Sequence, residues 1–375
     1  ALTQLEIWLE DDATVGNVNQ ALQAVSAKII SLIPNVPILL VAVNRPADLD
    51  GLQAIADQLL ASPGIKQVDF VSMSSTNSLP SNHGYLDIAE LNHISQLIAT
   101  RNLAARNAKD ALSSPLSQPP TIIVADFFGG GPPGASFDIV TDIADYNDER
   151  PDDHGYHVLG IISALDGGSS FVTGAYPDTS FIKAVDLWVG QTATLSTSEI
   201  NNKILQTILD YPKNYVVNTS LGIECGDPGG PCSDDILKEN ALKFITKVRN
   251  AGLENHFLHV ISAGNTDGGF VYAYQNDGIN YAALRSDIVD DEGNGIAQLS
   301  NVITVENVIV SLATAESTSS PDCLSAGSVS GGHISAPGYE ITSFIDAIGA
   351  EANLSGTSMA APMVTATAAY LWALD

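Results

Sequence analysis

Basic residues are scarce in this chain. Lysine and arginine together number 15 against 43 aspartates and glutamates, which gives a formal net charge of −28 at pH 7. A surface of this sign repels the phosphates of nucleic acids and the headgroups of anionic membranes. We therefore expect neither nucleic acid nor a membrane among the partners of the protein. The acidic residues are spread through predicted loops, which is typical of a solvated surface.

Long apolar runs are also missing. No stretch reaches the ~18 consecutive apolar residues that a membrane-spanning helix needs, and the run Pro37–Val43 has the length of a strand. Hydrophobic residues nevertheless make up 45% of the 375 positions and charged residues 15%, a composition that favours a globular chain. The length suits one large domain with a smaller companion.

Cysteine is rare, and the three present are Cys225, Cys232 and Cys323. The first two bracket a loop rich in Gly and Pro, which a disulfide between them can close. Metal binding by this pair is the weaker alternative, because the spacing is not C-x2-C and no histidine lies nearby. A disulfide leaves Cys323 as an odd thiol.

Residues 1–72 have the pattern of a small unit of their own. The predicted elements are a strand at 5–10, a helix to about residue 25, strands at 27–33 and 37–43, a helix at 49–60 and a strand at 65–72. The order β-α-β-β-α-β is that of a ferredoxin-like α+β fold, which by itself indicates no function. Residues 73–95 then have the Ser, Asn, Pro and Gly content of a linker.

After the linker the pattern changes to alternating strands and helices. Apolar strands are predicted at 121–125, 181–185, 215–218, 259–262 and 302–305, with helices between them at 157–165, 198–211 and 235–251. Such alternation favours a doubly wound α/β fold with a mainly parallel sheet. We therefore predict a large α/β domain over residues 96–375.

The most informative motif is Leu354-Ser-Gly-Thr-Ser-Met-Ala-Ala-Pro362. Gly356 permits a sharp turn, and the small residues of Met359–Ala369 predict a buried helix. Ser358 is thus expected at a helix N-terminus, where free N–H groups surround its hydroxyl and suit a nucleophile that forms an oxyanion. A bare Gly-Thr-Ser is also an ordinary helix cap. The full S-G-T-S-M-A-x-P pattern, however, resembles the nucleophile signature of the subtilisin-like serine proteases.

Asp126 directly follows the predicted strand 121–125, at the edge where parallel sheets carry their sites. On its own such a residue is most often a loop cap. In the subtilisin-like family the first triad member is an Asp after such a strand, usually followed by Ser or Thr and Gly. Here Phe127 and Phe128 follow, which keeps the carboxylate but changes its surroundings.

The segment His154-Gly-Tyr-His-Val-Leu-Gly160 resembles the family's H-G-T-H-V-A-G. The resemblance implies that His154 is the base, at the start of a helix, and that Gly155 allows a close approach of substrate. We interpret His157 as a structural histidine. Tyr156 in place of Thr is a modest departure from the family pattern.

Two further segments resemble the substrate cleft of this family. Val217-Asn-Thr-Ser-Leu-Gly222 resembles the strand that pairs with an extended peptide, and Ser262-Ala-Gly-Asn265 resembles the oxyanion segment. The resemblance implies that Asn265 donates its side-chain N–H to the oxyanion, together with the backbone N–H of Ser358. The substrate-binding residues are then expected to be Ser220, Leu221, Gly222, Ala263 and Gly264.

Together these segments imply a serine endopeptidase in which Ser358 attacks, His154 carries the proton and Asp126 fixes the imidazole tautomer. The chain order Asp, His, Ser is the subtilisin order. The sedolisin family also uses S-G-T-S, but with Glu as base and Asp for the oxyanion Asn, so His154 and Asn265 argue against it. A rival hypothesis is a catalytically silent binding protein on a protease fold, motivated by the Phe127-Phe128 departure and an insertion around 270–295.

The resemblance also assigns the N-terminal unit and the partners. Residues 1–72 look like the family's propeptide, a folding chaperone and inhibitor, so we expect a secreted zymogen that is processed between about Ser74 and Tyr85. Its partners are polypeptide substrates and its own propeptide. The chemistry requires no cofactor. A structural calcium ion is the candidate, at the acidic loop 287–295 or at 165–173, although the acidic loop lacks a defined ligand pattern and a solvated loop is the preferred interpretation.

Overall fold

The computed structural model describes residues 3–71, 73–76, 120–128, 154–163, 174, 182–189, 193–194, 196–210, 214–224, 234–265, 276–277, 299–309, 323–324, 328, 332–345 and 351–374. The helices of these residues are α1 (Val15–Ala24), α2 (Leu49–Leu60), α3 (His154–Ser163), α4 (Thr197–Asp210), α5 (Asp234–Asn250) and α6 (Thr357–Leu374). None of these helices is long and apolar enough to cross a membrane.

The first strands of the described chain are β1 (Gln4–Leu9), β2 (Lys28–Leu32), β3 (Ile38–Ala42), β4 (Ile65–Phe70), β5 (Met73–Thr76), β6 (Thr121–Asp126), β7 (Ile182–Asp186), β8 (Trp188–Val189) and β9 (Ala193–Thr194). They are followed by β10 (Tyr215–Thr219), β11 (Leu221–Glu224), β12 (Phe257–Ser262), β13 (Gly264–Asn265), β14 (Asn276–Asp277) and β15 (Val302–Ile309). The last are β16 (Cys323–Leu324), β17 (Ile334–Pro337), β18 (Ile341–Phe344) and β19 (Glu351–Leu354).

The N-terminal unit is an antiparallel sheet in the order β2-β3-β1-β4 with α1 and α2 packed on it. Thr14 and Asp48 cap the two helices, since their side chains accept from the N–H groups of Asn17 and Gly51. The predicted β-α-β-β-α-β order is confirmed. Its last strand is shorter than predicted, however, and ends at Phe70.

Six parallel strands in the order β7-β6-β10-β12-β15-β17 form the main sheet, and β16 pairs antiparallel with the end of β15. One face buries an apolar cluster against α4 and α5, and the other buries a second cluster against α3 and α6. Helices on both faces make the domain doubly wound, as predicted. Every residue of β6 is buried, as expected for a central parallel strand.

Two predicted boundaries near the candidate site were wrong. Asp126 is the last residue of β6 and not the first residue after it. The helix α3 begins at His154, where the family resemblance places its start and three residues before the start at 157 that periodicity predicts. The small and polar residues of the His154–Tyr156 stretch carry no apolar period, so periodicity located only the later part of the helix.

The small sheet lies with its outer face against α4 and α5. Residues alternate along β1, so that Leu5 and Ile7 belong to the core beneath α1 and α2 while Gln4, Glu6 and Trp8 face the other way. Gln4 donates to Glu199 in α4 at 3.0 Å, and Trp8 packs against the apolar cluster of the main sheet. The two units therefore share a mixed apolar and polar interface.

Glu6 is the centre of a buried charge network in this interface. Its carboxylate contacts the ammonium group of Lys247 and accepts from the hydroxyl of Ser198, and Lys243 lies 3.6 Å away. Lys243 also lies 3.3 Å from Asp69 of β4. Burial by itself raises the pKa of Glu6, but the two ammonium groups outweigh it and hold that pKa below its ordinary value. Glu6 is thus ionised in the docked unit.

Candidate active site

Asp126 and His154 form the first pair of the candidate site. Asp126 ends β6 at the carboxyl edge of the sheet, and His154 begins α3. Nδ1 of His154 lies 2.7 Å from Oδ1 of Asp126, and the same oxygen accepts from the backbone N–H of Phe127 at 2.7 Å. Because a carboxylate only accepts, Nδ1 carries the imidazole proton. The Nε2 atom is then the one available to act as a base.

Gly155 allows α3 to start close to β6. Its N–H donates to the carbonyl oxygen of Phe127 at 2.8 Å, and a Cβ at this position would lie 2.6 Å from that oxygen. The close approach that the structure shows at this glycine is to the chain itself, and its predicted approach to substrate stays a prediction. The contact holds the first turn of α3 against the strand that carries Asp126.

The two aromatic departures from the family pattern pack against each other. The rings of Phe128 and Tyr156 are in edge-to-face contact, with centroids 5.4 Å apart and an interplanar angle of 85°. Both side chains belong to the buried cluster beneath α3 and α6, and Phe127 is buried on the other face of the sheet. All three aromatic residues are therefore core residues.

Ser358 lies in the first turn of α6, as the motif predicted. Gly356 precedes it with a φ of 150°, in a region that favours glycine, and donates its N–H to Gly338 at 2.7 Å. The Ser358 hydroxyl donates to the carbonyl oxygen of Ser220 at 3.1 Å. The nucleophile candidate is thus held beside the end of β10, adjoining the cleft strand β11.

Asn265 has its carboxamide oriented by the residue before Ser358. Its Oδ1 accepts from the backbone N–H of Thr357 at 2.9 Å and from the Thr357 hydroxyl at 3.1 Å. Gly264 donates its N–H to that same hydroxyl at 3.1 Å. With the oxygen bound to Thr357, the NH2 end of the carboxamide is turned away from it. The structure thereby brings the oxyanion segment and the start of α6 together.

A strand from the predicted linker lies on the cleft strand. β5 pairs antiparallel with β11, and in this register Thr76 is opposite Leu221 and Ser75 is opposite Gly222. Residues 73–76, at the start of the predicted linker, are thus an extended strand paired beside the segment that is expected to bind substrate. Their composition gives no strand signal, but the open edge of β11 supplies the backbone partners that make one.

Ala263 and Gly264 belong to the second segment that is predicted to bind substrate. Ala263 is buried and donates its N–H to Val305 at 2.8 Å, and Gly264 pairs with Asp277 of β14. Ser262 donates its hydroxyl to the carbonyl oxygen of Leu221 at 3.4 Å, which links this segment to β11. The structure thus brings the two predicted substrate-binding segments next to each other.

Two other histidines, His157 and His259, are buried and lie within hydrogen-bonding distance of protein oxygens. Nε2 of His157 lies 3.0 Å from the carbonyl oxygen of Ile341 and 3.2 Å from that of Ala352, which supports its interpretation as a structural residue. Nε2 of His259 lies 2.8 Å from the Thr219 hydroxyl. Burial lowers the pKa of each to about 3, and for His157 the nearby His154 adds to the effect. Both are neutral at physiological pH.

Several predicted features lie outside the described residues. These are the calcium candidates at 165–173 and 287–295, the Cys225–Cys232 pair and most of the linker. Within the part of the chain that the structure describes, no group of three or more His, Cys, Asp and Glu side chains is arranged to hold a metal ion.

Two buried residues that are linked to Ser220 by hydrogen bonds were not predicted from the sequence. Asn218 and Thr365 are fully buried and joined by a hydrogen bond of 2.9 Å. Thr365 and Thr367 are the polar residues in the small and apolar run of α6, and their presence there was the one signal that pointed to Thr365, since a buried hydroxyl needs a partner. The charge network of Glu6 left no signal, because its partners are more than 190 residues away in the chain.

Comparison with known proteins identifies the family. The subtilase family matches residues 136–375, which is more than half of the chain. The chain therefore belongs to the subtilase family, and the family predicted from the motifs is confirmed. No curated protein matches the chain.

Solved structures share the fold. Fervidolysin from Fervidobacterium pennivorans, a keratinolytic enzyme related to subtilisin, is 18% identical with a TM-score of 0.60, over 98% of this chain and 54% of that one. The epidermin leader peptide processing serine protease (EpiP) from Staphylococcus aureus is 16% identical with a TM-score of 0.57, over 98% of this chain and 87% of that one. The chain thus spans about half the length of fervidolysin. The likeness in both cases is one of fold, which is that of subtilisin-like serine peptidases.

Proposed function

We propose that this protein is a serine endopeptidase with Asp126, His154 and Ser358 as its triad. The observation that carries the proposal is the buried 2.7 Å contact between Asp126 Oδ1 and His154 Nδ1. It selects the tautomer in which Nε2 accepts a proton, which is the one a general base needs. The start of α6, with Ser358 in its first turn, packs on α3 within the same buried cluster.

The proposed reaction begins when the Ser358 hydroxyl leaves the Ser220 carbonyl and donates to His154 Nε2. As Oγ bonds to the peptide carbonyl carbon, the proton passes to Nε2, and the oxyanion is bound by the Asn265 carboxamide and the Ser358 backbone N–H. The C–N bond then breaks, with the proton going from His154 to the amine. Water, deprotonated by His154, releases the acyl group in the same way.

We infer further that residues 1–72 are an inhibitory propeptide and that the protein is a secreted zymogen. The pairing of β5 with β11 supports this, because an extended segment of the chain itself occupies the strand expected to bind substrate. From Met73 to Thr76 this segment runs antiparallel to β11, toward Ser220 and Ser358. We therefore expect the bond that is cut to lie on the C-terminal side of Thr76.

A fluorophosphonate probe tests the proposal directly. We expect it to label the wild-type protein on Ser358 and to leave Ser358→Ala unlabelled. Hydrolysis of a mixed peptide library should rise from acid toward neutral pH, because the base must be neutral to accept the Ser358 proton. A folded wild-type protein that neither reacts with the probe nor cleaves any peptide would favour the silent binding protein.

A further inference from the structure

The carbonyl oxygen of Ser358 lacks its usual partner in the helix. The residue four positions later is Pro362, which has no N–H to donate. The Ser220 hydroxyl takes that place and donates to the Ser358 carbonyl oxygen at 3.0 Å. When the Ser358 hydroxyl turns from Ser220 toward His154, this bond to the main chain remains. It then ties the backbone of Ser358 to Ser220.

The Ser220 hydroxyl is itself held by Asn218. Its one proton goes to Ser358, so its oxygen can only accept, and it accepts from Nδ2 of Asn218 at 3.1 Å. The Oδ1 atom of Asn218 in turn accepts from the hydroxyl of Thr365 at 2.9 Å. Donors therefore run in one direction, from Thr365 through Asn218 and Ser220 to the carbonyl oxygen of Ser358.

Thr365 holds the far end of this chain of donors. Because the Ser358 carbonyl oxygen only accepts, Ser220 takes its hydrogen bond from the NH2 end of Asn218, and the oxygen end of Asn218 is left for the Thr365 hydroxyl to donate to. All four side chains are fully buried, so water does not compete for these positions. The single proton of the Thr365 hydroxyl is shared with the carbonyl oxygen of Ala361 within the helix, at 3.1 Å, which is the longer of its two contacts.

We infer that Thr365 is a positioning residue for the nucleophile of the proposed protease. It lies seven residues after Ser358, two turns along α6, and acts through Asn218 and Ser220 on the backbone of Ser358. The inference rests on the proposed function, since it concerns the rate of attack by Ser358. The role belongs to the hydroxyl of Thr365 and not to its methyl group.

Three variants of α6 separate the hydroxyl from the packing. Thr365→Val keeps the shape and removes the hydroxyl, whereas Thr365→Ser keeps the hydroxyl and removes the methyl group. Thr367→Val is the matched control, because the Thr367 hydroxyl makes the same type of helical bond, to Met363 at 2.8 Å, but is exposed and has no contact with Asn218. For each variant, kcat and KM are measured on one peptide substrate, with the rate of fluorophosphonate labelling and the melting temperature.

We expect Thr365→Val to lower kcat and the labelling rate about tenfold, with KM within about twofold of wild type, because small displacements of a reacting group cost rate and not binding. Thr365→Ser and Thr367→Val should retain a kcat close to wild type. If Thr365→Val does not fold, Thr365→Ala takes its place with the same expectation.

Three results would overturn the inference while the wild type remains active. They are a kcat of Thr365→Val equal to that of Thr367→Val, a loss confined to KM, and an equal loss of kcat in Thr365→Ser. A folded wild-type protein without activity would instead refute the proposed function, and this inference with it.

Discussion

Replacement of Glu6 by glutamine tests how the N-terminal sheet is held on α4 and α5. The carboxylate is buried between Lys247 and Lys243, and glutamine keeps its shape while removing the charge. Lys243 retains Asp69 at 3.3 Å and Glu239 at 2.6 Å. Lys247 retains the hydroxyl of Ser198 at 2.9 Å as its partner. The variant therefore leaves one buried ammonium group without a counter-charge.

The expected cost follows from this arrangement. Removing one partner of a buried ion pair costs about 3–5 kcal/mol, and the lower end applies because Ser198 and the glutamine oxygen still accept from Lys247. A cost of about 3 kcal/mol lowers the equilibrium constant for docking roughly 150-fold. Glu254→Gln is the matched control, since its 3.0 Å contact with Arg249 is partly exposed and such pairs contribute about 1 kcal/mol or less.

Hydrogen exchange measures this change. The experiment uses the uncut Ser358→Ala chain as background, and the amides of β1 and α5 report opening of the interface. We expect Glu6→Gln to lower their protection about a hundredfold and Glu254→Gln to lower it less than tenfold. Equal protection in the two variants would show that the charge network does not hold the sheet. A double variant, Glu6→Leu with Lys247→Met, should recover much of the loss, because no buried charge is then left without a counter-charge.

Three further predictions concern the site and its histidines. Wild-type protein should run as two pieces on a denaturing gel, cut on the C-terminal side of Thr76 and before Tyr85, whereas Ser358→Ala should remain one chain. His154→Ala should abolish turnover, whereas His157→Ala should mainly lower the melting temperature, because His157 bridges two buried carbonyl oxygens. Stability should fall as the pH drops below about 6.5: the unfolded chain then protonates His157 and His259, while the folded chain, with pKa values of about 3, does not. The slope is about 1.4 kcal/mol per pH unit for each histidine.

Each of these predictions has a result that contradicts it. If the wild-type protein hydrolyses peptides but remains one uncut chain, as Ser358→Ala does, the N-terminal unit is a permanent domain. A folded His157→Ala with the same catalytic loss as His154→Ala would remove the distinction between the two histidines. For the acid effect, melting is followed from pH 7 to pH 5 in the Ser358→Ala chain. The effect would be refuted by an unchanged slope after His259→Gln, which removes one of the two titrating groups.

Much of the fold followed from local pattern. Apolar runs predicted five of the six parallel strands of the main sheet to within a few residues, because buried strands are rich in apolar residues. They did not predict β17, whose short segment Ile334–Pro337 has no such run. The helix that follows Ser358 was predicted from small residues alone. Where the chain is polar, as from His154 to Tyr156, the same method placed the start of α3 too late.

The amino-acid sequence by itself determined the family, the order of the elements and which residues carry the proposed chemistry, since these depend on residue type and on spacing along the chain. Tertiary structure alone decided which distant groups meet. The pairing of Thr365 with Asn218 spans 147 residues, that of Lys247 with Glu6 spans 241, and Met73–Thr76 is a strand because β11 lies beside it. Such contacts depend on how elements pack and on which edges stay open, and neither leaves a period in the local sequence.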